Sequence, residues 1–229
     1  MSLILVAHGT RRPEGIAMIG DLAQQVSAVL NQPVHVGFVD VLGPTPSEIL
    51  SDATVAAEPA IVVPAFLSRG YHVRTDLPAH VAASGHADVT VTPALGPSAQ
   101  LTRIVVGKMH ESGWRPGDSV VLAAAGTSDK PARADLRTTA MLLSALTGSP
   151  VDLAFAATGE PSVAEAVAQA RSRSGGRVVV ASYLLAEGLF QERLRQSGAD
   201  VVSAPLAAHP ALARLIAGRF QAARALAPA

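Results

Sequence analysis

Short, continuously apolar runs alternate along the whole chain with longer stretches in which apolar residues recur every three or four positions. The runs fall at Leu3–Ala7, Val34–Val39, Ala60–Phe66 and Asp88–Val91, and again at Val120–Ala124, Val151–Ala156, Arg177–Tyr183 and Asp200–Ser203. Because they are apolar throughout rather than alternating, they predict strands buried on both faces, which means parallel sheets covered by helices. Between them, Asp21–Leu30 places Leu22, Val26, Val29 and Leu30 on one helical face, and Pro46-Ser47-Glu48 carries the proline and acid suited to a helix start. The expected class is α/β, with four strands and four helices in each half.

The two halves resemble each other. Leu5-Val6-Ala7-His8-Gly9-Thr10 aligns with Leu122-Ala123-Ala124-Ala125-Gly126-Thr127 at a shift of 117, and the same shift brings Pro33-Val34 onto Pro150-Val151 and Phe38 onto Phe155. Further along, Pro46-Ser47 is matched with Pro161-Ser162 and Phe66-Leu67 with Tyr183-Leu184. Late in each half, Leu95, Leu101, Arg103 and Gly107 match Leu206, Leu212, Arg214 and Gly218 at a shift of 111. Such a repeat predicts two tandem lobes, 1–116 and 117–229, each a four-stranded parallel sheet flanked by helices. The linker falls at Gly113–Asp118, where Gly and Pro interrupt both patterns.

In sheets of this kind ligands bind beyond the carboxyl ends of the strands. That rule selects His8 at the end of the first strand, Asp40 at the end of the second, and His72 in the loop after the third. Their counterparts in the second half are Ala125, Ala157, and Leu189 or Phe190 according to the gap. The second copy keeps the glycines, prolines and apolar positions of the fold and lacks all three polar groups, so folding alone does not require them.

Composition narrows the chemistry. Of 229 residues 49% are hydrophobic, enough for buried cores, and 18 basic residues balance 18 acidic ones. No global field draws the chain to nucleic acid or an anionic membrane, so an anionic ligand must be met by local arginines. There is no cysteine, which excludes disulfides, thiolate ligands, a thiol nucleophile and a cysteine-bound iron–sulfur cluster. A bound metal would need His and carboxylate ligands. Met1-Ser2 leads straight into an apolar run without the charged start of a secretion signal, and no apolar stretch approaches a membrane span. A soluble, cytoplasmic protein is expected.

Ala7-His8-Gly9-Thr10, Asp40 followed by Pro46-Ser47, and Phe66-Leu67-Ser68-Arg69-Gly70-Tyr71-His72-Val73-Arg74-Thr75-Asp76-Leu77-Pro78 together form a pattern. It resembles the sirohydrochlorin chelatase family, which inserts metal ions in sirohaem and cobalamin biosynthesis, and the resemblance covers nearly the full chain as two family-like units. It implies metal handling by His8 and His72, with an acidic third member at Asp40, where family members often carry Glu. It implies insertion of Fe²⁺ or Co²⁺ into sirohydrochlorin or a related tetrapyrrole, without ATP; Ni²⁺ suits the same donors.

Insertion requires removal of pyrrole protons and exchange of the ion's waters for ring nitrogens, and a neutral imidazole can serve either task. The many carboxylates of the substrate are expected to meet Arg11, Arg12, Arg69 and Arg74, with Lys130 and Arg133 approaching from the second lobe and the macrocycle in a cleft between lobes. His35 is expected to be structural, and His80, His86, His110 and His209 solvated. No nucleotide is implied, since the Gly9-Thr10 and Gly126-Thr127 turns lack the glycine spacing and lysine of a phosphate loop. A non-catalytic tetrapyrrole or metal carrier is the alternative. A His-phosphatase-like enzyme ranks below both, because Ala7 stands where that family places Arg. A monomer is expected, with a homodimer as the alternative.

Overall fold

The structure is a computed structural model that describes residues 1–226. Its first half runs β1 (Ser2–Ala7), α1 (Pro13–Leu30), β2 (His35–Phe38), α2 (Pro46–Ser51), α3 (Ala53–Ala56), β3 (Ala60–Pro64), a π-helical turn (His72–Asp76), α4 (Leu77–Ser84), β4 (Val89–Val91) and α5 (Ala99–Glu111). The second runs β5 (Ser119–Ala124), α6 (Lys130–Thr147), β6 (Val151–Phe155), α7 (Val163–Ser174), β7 (Val178–Tyr183), α8 (Leu189–Arg195), β8 (Val201–Val202) and α9 (Pro210–Leu226). The strands form two separate four-stranded parallel sheets, ordered β2-β1-β3-β4 and β6-β5-β7-β8. The two-sheet α/β architecture is therefore the expected one. The central strands explain it: Leu3, Ile4, Leu5 and Val6 in β1 and Val121, Leu122 and Ala123 in β5 are fully buried, as strands covered by helices on both faces must be.

Around the first sheet, Ile4, Val6 and Val62 pack with Ile49 and Leu50 of α2, Val55 of α3 and Leu77 of α4. Around the second, Val121, Ala123 and Val180 pack with Val163, Ala166, Val167 and Ala170 of α7 and Leu194 of α8. The helix expected over Asp21–Leu30 begins earlier, at Pro13. Its covered stripe runs through Ile19, Leu22, Ala23 and Val26. Val29, expected on that face, is 48% exposed, because the stripe ends a turn before the left-handed cap at Asn31.

The structure also resets two of the repeat alignments. Pro44, rather than Pro46, is the counterpart of Pro161: each follows a cis peptide bond, and their carbonyls accept from the N–H groups of Phe38 and Phe155 at 2.9 and 3.0 Å. The shift of 117 therefore persists into the helix starts, where Thr45 and Ser162 are N-caps and Glu48 and Glu165 close matching capping boxes. Hydrogen bonds from the cap backbone and hydroxyl groups hold both carboxyls below their ordinary range. By the third strand the shift is 118, since β1 pairs Ser2 with Ala60 and β5 pairs Ser119 with Val178. Phe66-Leu67 thus corresponds to Leu184-Leu185, one residue beyond the match made on side-chain similarity.

The compact units are cut differently from the sequence repeats. One comprises Met1–Leu95 with the C-terminal helix α9, and the other Gly96–His209. The last helix of each repeat has changed places: α9 packs on α1 and β3, and α5 packs on α6 and β7. The division expected at 116/117 follows the repeat of sequence, whereas the exchanged helices set different boundaries of packing. No helix among the described residues is long and apolar enough to cross a membrane.

Candidate metal-handling site

The first sheet brings His8 and Asp40 together through its backbone. Where β1 and β2 end, the N–H of Val39 donates to the Ala7 carbonyl at 3.0 Å and that of Asp40 to the His8 carbonyl at 3.1 Å. The second sheet repeats this frame, Ala156 to Ala124 at 2.8 Å and Ala157 to Ala125 at 2.9 Å. The turn after each is glycine for a steric reason. Gly9 has φ +102°, and a Cβ there would lie 2.2 Å from the Asp40 carbonyl oxygen; Gly126 has φ +126° and would place a Cβ 2.5 Å from Thr158 backbone atoms. The frame and its glycine belong to the fold and recur in both copies. The His8 imidazole does not recur, and it is exposed at the strand end.

His72 lies in the π-helical turn that follows β3, a local widening in which the Leu77 N–H closes on the His72 carbonyl. It was expected in a loop, and this turn presents it to the same edge of the sheet. The two imidazoles meet edge to face, with ring centroids 4.6 Å apart and planes at 89°. Phe66 stacks nearly parallel to His72, with centroids 6.0 Å apart, and Tyr71 stands edge-on at the same separation. His72 Nδ1 lies 2.6 Å from Asp76 Oδ2. Asp76 carried no assigned role in the sequence; the four-residue spacing from His72, which places both on one helical face, was the available signal.

Asp40 is exposed, and its carboxylate is engaged locally, with Oδ1 accepting from the Val41 N–H at 2.7 Å. The Leu42 N–H returns to the Asp40 carbonyl at 2.8 Å, closing a three-residue turn that places Val41 at φ +71°. For a β-branched residue this is a costly conformation, of order 1–3 kcal/mol. Among the described residues, no three His, Asp or Glu side chains are gathered closely enough to hold an ion. The structure therefore brings His8 and His72 together, and leaves the Asp40 carboxylate turned onto its own backbone.

The expected cations divide between the units. Arg11 and Arg12 follow β1, Arg69 and Arg74 follow β3, and all four are exposed. Lys130 opens α6 in the other unit, and the Arg133 guanidinium lies over the Phe155 ring at 5.4 Å. At a shift of 118, His72 falls on Phe190; the extra residue of the π-helical turn then makes Leu77 the counterpart of Leu194, both fully buried, and Asp76 that of Arg193. Of the other histidines, His35 is exposed rather than structural, and His80, expected to be solvated, pairs with Ser47 Oγ at 3.1 Å. His86 Nε2 meets the Val55 carbonyl at 3.2 Å, and His110 packs edge-on against Trp114.

A family model described as CbiX matches residues 2–112 and again residues 119–223. The chain belongs to the CbiX family. Its two matched segments are the two sequence repeats, so the duplication is one of whole family units. Sirohydrochlorin cobaltochelatase of Methanothermobacter thermautotrophicus is 34% identical over 79 residues, covering 34% of this chain and 55% of that protein. The chain thus spans about half the length of that relative. Two solved structures share the CbiX-type fold at 20% identity over 97% of this chain and 94% of theirs. SirB from Bacillus subtilis with Fe³⁺ has a TM-score of 0.81, and the sirohydrochlorin chelatase SirB from Bacillus subtilis subspecies spizizenii in complex with cobalt has 0.78.

Proposed function

We propose that this CbiX-family chain inserts a divalent ion, Fe²⁺ or Co²⁺, into sirohydrochlorin in the cytoplasm, without ATP, using His8 and His72. The observation that carries this reading is the meeting of the two imidazoles at 4.6 Å on a backbone frame that the second sheet repeats without them. Curated relatives named sirohydrochlorin cobaltochelatase supply the substrate class.

The residues suit the chemistry. Imidazole nitrogens bind Fe²⁺ and Co²⁺ yet, without a thiolate cage, leave positions open for incoming pyrrole nitrogens. Two pyrrole protons must leave as the dication enters: one of the pair can accept them in turn and pass each to solvent, while the other carries the ion, whose waters are replaced stepwise. Asp40 is the proposed third donor, which would have to give up its bond to the Val41 N–H to serve. Tyr71, 59% exposed beside His72, offers an apolar face to the macrocycle. Arg11, Arg12, Arg69 and Arg74 are the proposed carboxylate contacts, with Lys130 and Arg133 the candidates in the C-terminal unit. The two histidines lie on one chain, so a monomer can act.

Turnover tests the reading. Sirohydrochlorin in excess over protein, mixed with Fe²⁺, Co²⁺ or Ni²⁺, is expected to be converted through many cycles by absorbance, with Fe²⁺ or Co²⁺ fastest. A change that stops at one equivalent would identify a carrier and defeat the proposal. Replacing Arg11 or Arg74 by alanine is expected to raise the sirohydrochlorin KM roughly fivefold each, the worth of about 1 kcal/mol at an exposed ion pair. The kcat is expected to stay near that of the parent, and an unmoved KM in both variants would remove these arginines from the substrate site.

A further inference from the structure

We infer that Asp76 is a positioning residue, which fixes the tautomer of His72 and leaves the ring's Nε2 as the reactive atom. The inference rests on the proposed role of His72 and adds to it which nitrogen acts and what holds it.

Asp76 Oδ2 lies 2.6 Å from His72 Nδ1. An ionised carboxylate only accepts, so the neutral ring in this bond carries its proton on Nδ1 and its lone pair on Nε2. Neither side chain is buried beyond water's reach, with exposures of 32% for His72 and 26% for Asp76. The ring is further confined by Phe66 on one face and by the edge-on contacts with His8 and Tyr71. Both members lie in the π-helical turn, whose backbone holds their spacing. A histidine whose remote nitrogen binds an ion is commonly held in this way, with a carboxylate on the other nitrogen setting both orientation and basicity.

The second copy gives an independent observation. Where His72 becomes Phe190, Asp76 becomes Arg193, because the extra residue of the π-helical turn makes Leu77 the counterpart of Leu194, each fully buried among the matching strand residues. The fold therefore requires no carboxylate at this position, where the second copy has an exposed arginine. The carboxylate occurs where the imidazole occurs, and both are missing from the same copy.

The test reads the tautomer apart from turnover. In metal-free, ¹⁵N-histidine-labelled protein at about pH 8, where a free imidazole is neutral, His72 is expected to show a protonated Nδ1 and a bare Nε2. Asp76→Ala is expected to erase that preference and to lower kcat/KM for the metal about 10- to 100-fold, with the sirohydrochlorin KM unchanged. Asp76→Glu is expected to restore the tautomer and part of the rate. Wild-type protein with its proton on Nε2 would overturn the inference without any variant. So would an Asp76→Ala protein that keeps the tautomer, or loses it with turnover intact. Full turnover by His72→Ala would instead defeat the functional reading, and the spectrum of the unmodified chain would still decide what Asp76 does.

Discussion

Replacing either His8 or His72 by alanine is expected to lower kcat for Fe²⁺ or Co²⁺ insertion by about 10²–10⁴-fold, the usual worth of a positioned acid–base group. The melting temperature is expected to remain near that of the parent chain. His8 is exposed and His72 partly so, and the backbone bonds around His8 recur around Ala125, which shows that alanine is accommodated at that strand end. The double variant is expected to be little worse than either single one, since two groups that hand an ion and a proton between them fail as a unit. His209→Ala, in the other compact unit, is expected to insert metal at nearly the parent rate. Insertion at near-parental rates by both single variants would sink the mechanism.

Much of the candidate site was legible in the sequence because the two histidines proposed to handle metal depend on strand ends. Continuous apolar runs identify β1 and β3, and the rule that ligands gather beyond the carboxyl ends of parallel strands then brings His8 and His72 to one edge. The duplication added a comparison within the chain, with Ala125 standing where His8 would recur. What escaped depended on local backbone geometry. The π-helical turn at His72–Asp76 has no strong composition cue, so the pairing of His72 with Asp76 was hidden inside a recognised motif. The Asp40 carboxylate is diverted by a turn with Val41 at φ +71°, a conformation that a valine gives no reason to expect. The alignment of Pro46 with Pro161 failed because identical residues outweighed equivalent hydrogen bonds, which join Pro44 and Pro161 instead. The exchange of α5 and α9 was beyond reach for a different reason: similarity between repeats records common ancestry, and says nothing of which sheet a helix covers.

That exchange has an energetic consequence. Phe220 is fully buried on α9, with Leu212, Ile216 and Ala217 on the same helix also buried. By sequence α9 closes the second repeat, yet its packing partners are α1 and β3, which flank the sheet bearing His8 and His72. Phe220→Ala removes a large ring from a closed core and is expected to cost about 3–5 kcal/mol, a large part of an ordinary domain's stability. Hydrogen exchange locates the loss: amides of β1 and β3 are expected to exchange about 10²–10³-fold faster, while those of β5 and β7 change far less. Leu101→Ala on α5 is expected to do the reverse, loosening β5 and β7. Selective loosening of β5 and β7 by Phe220→Ala would contradict the exchanged arrangement. Metal insertion is expected to fall with Phe220→Ala as the temperature rises, because the sheet that aligns the two histidines is held in part by the last helix of the other repeat.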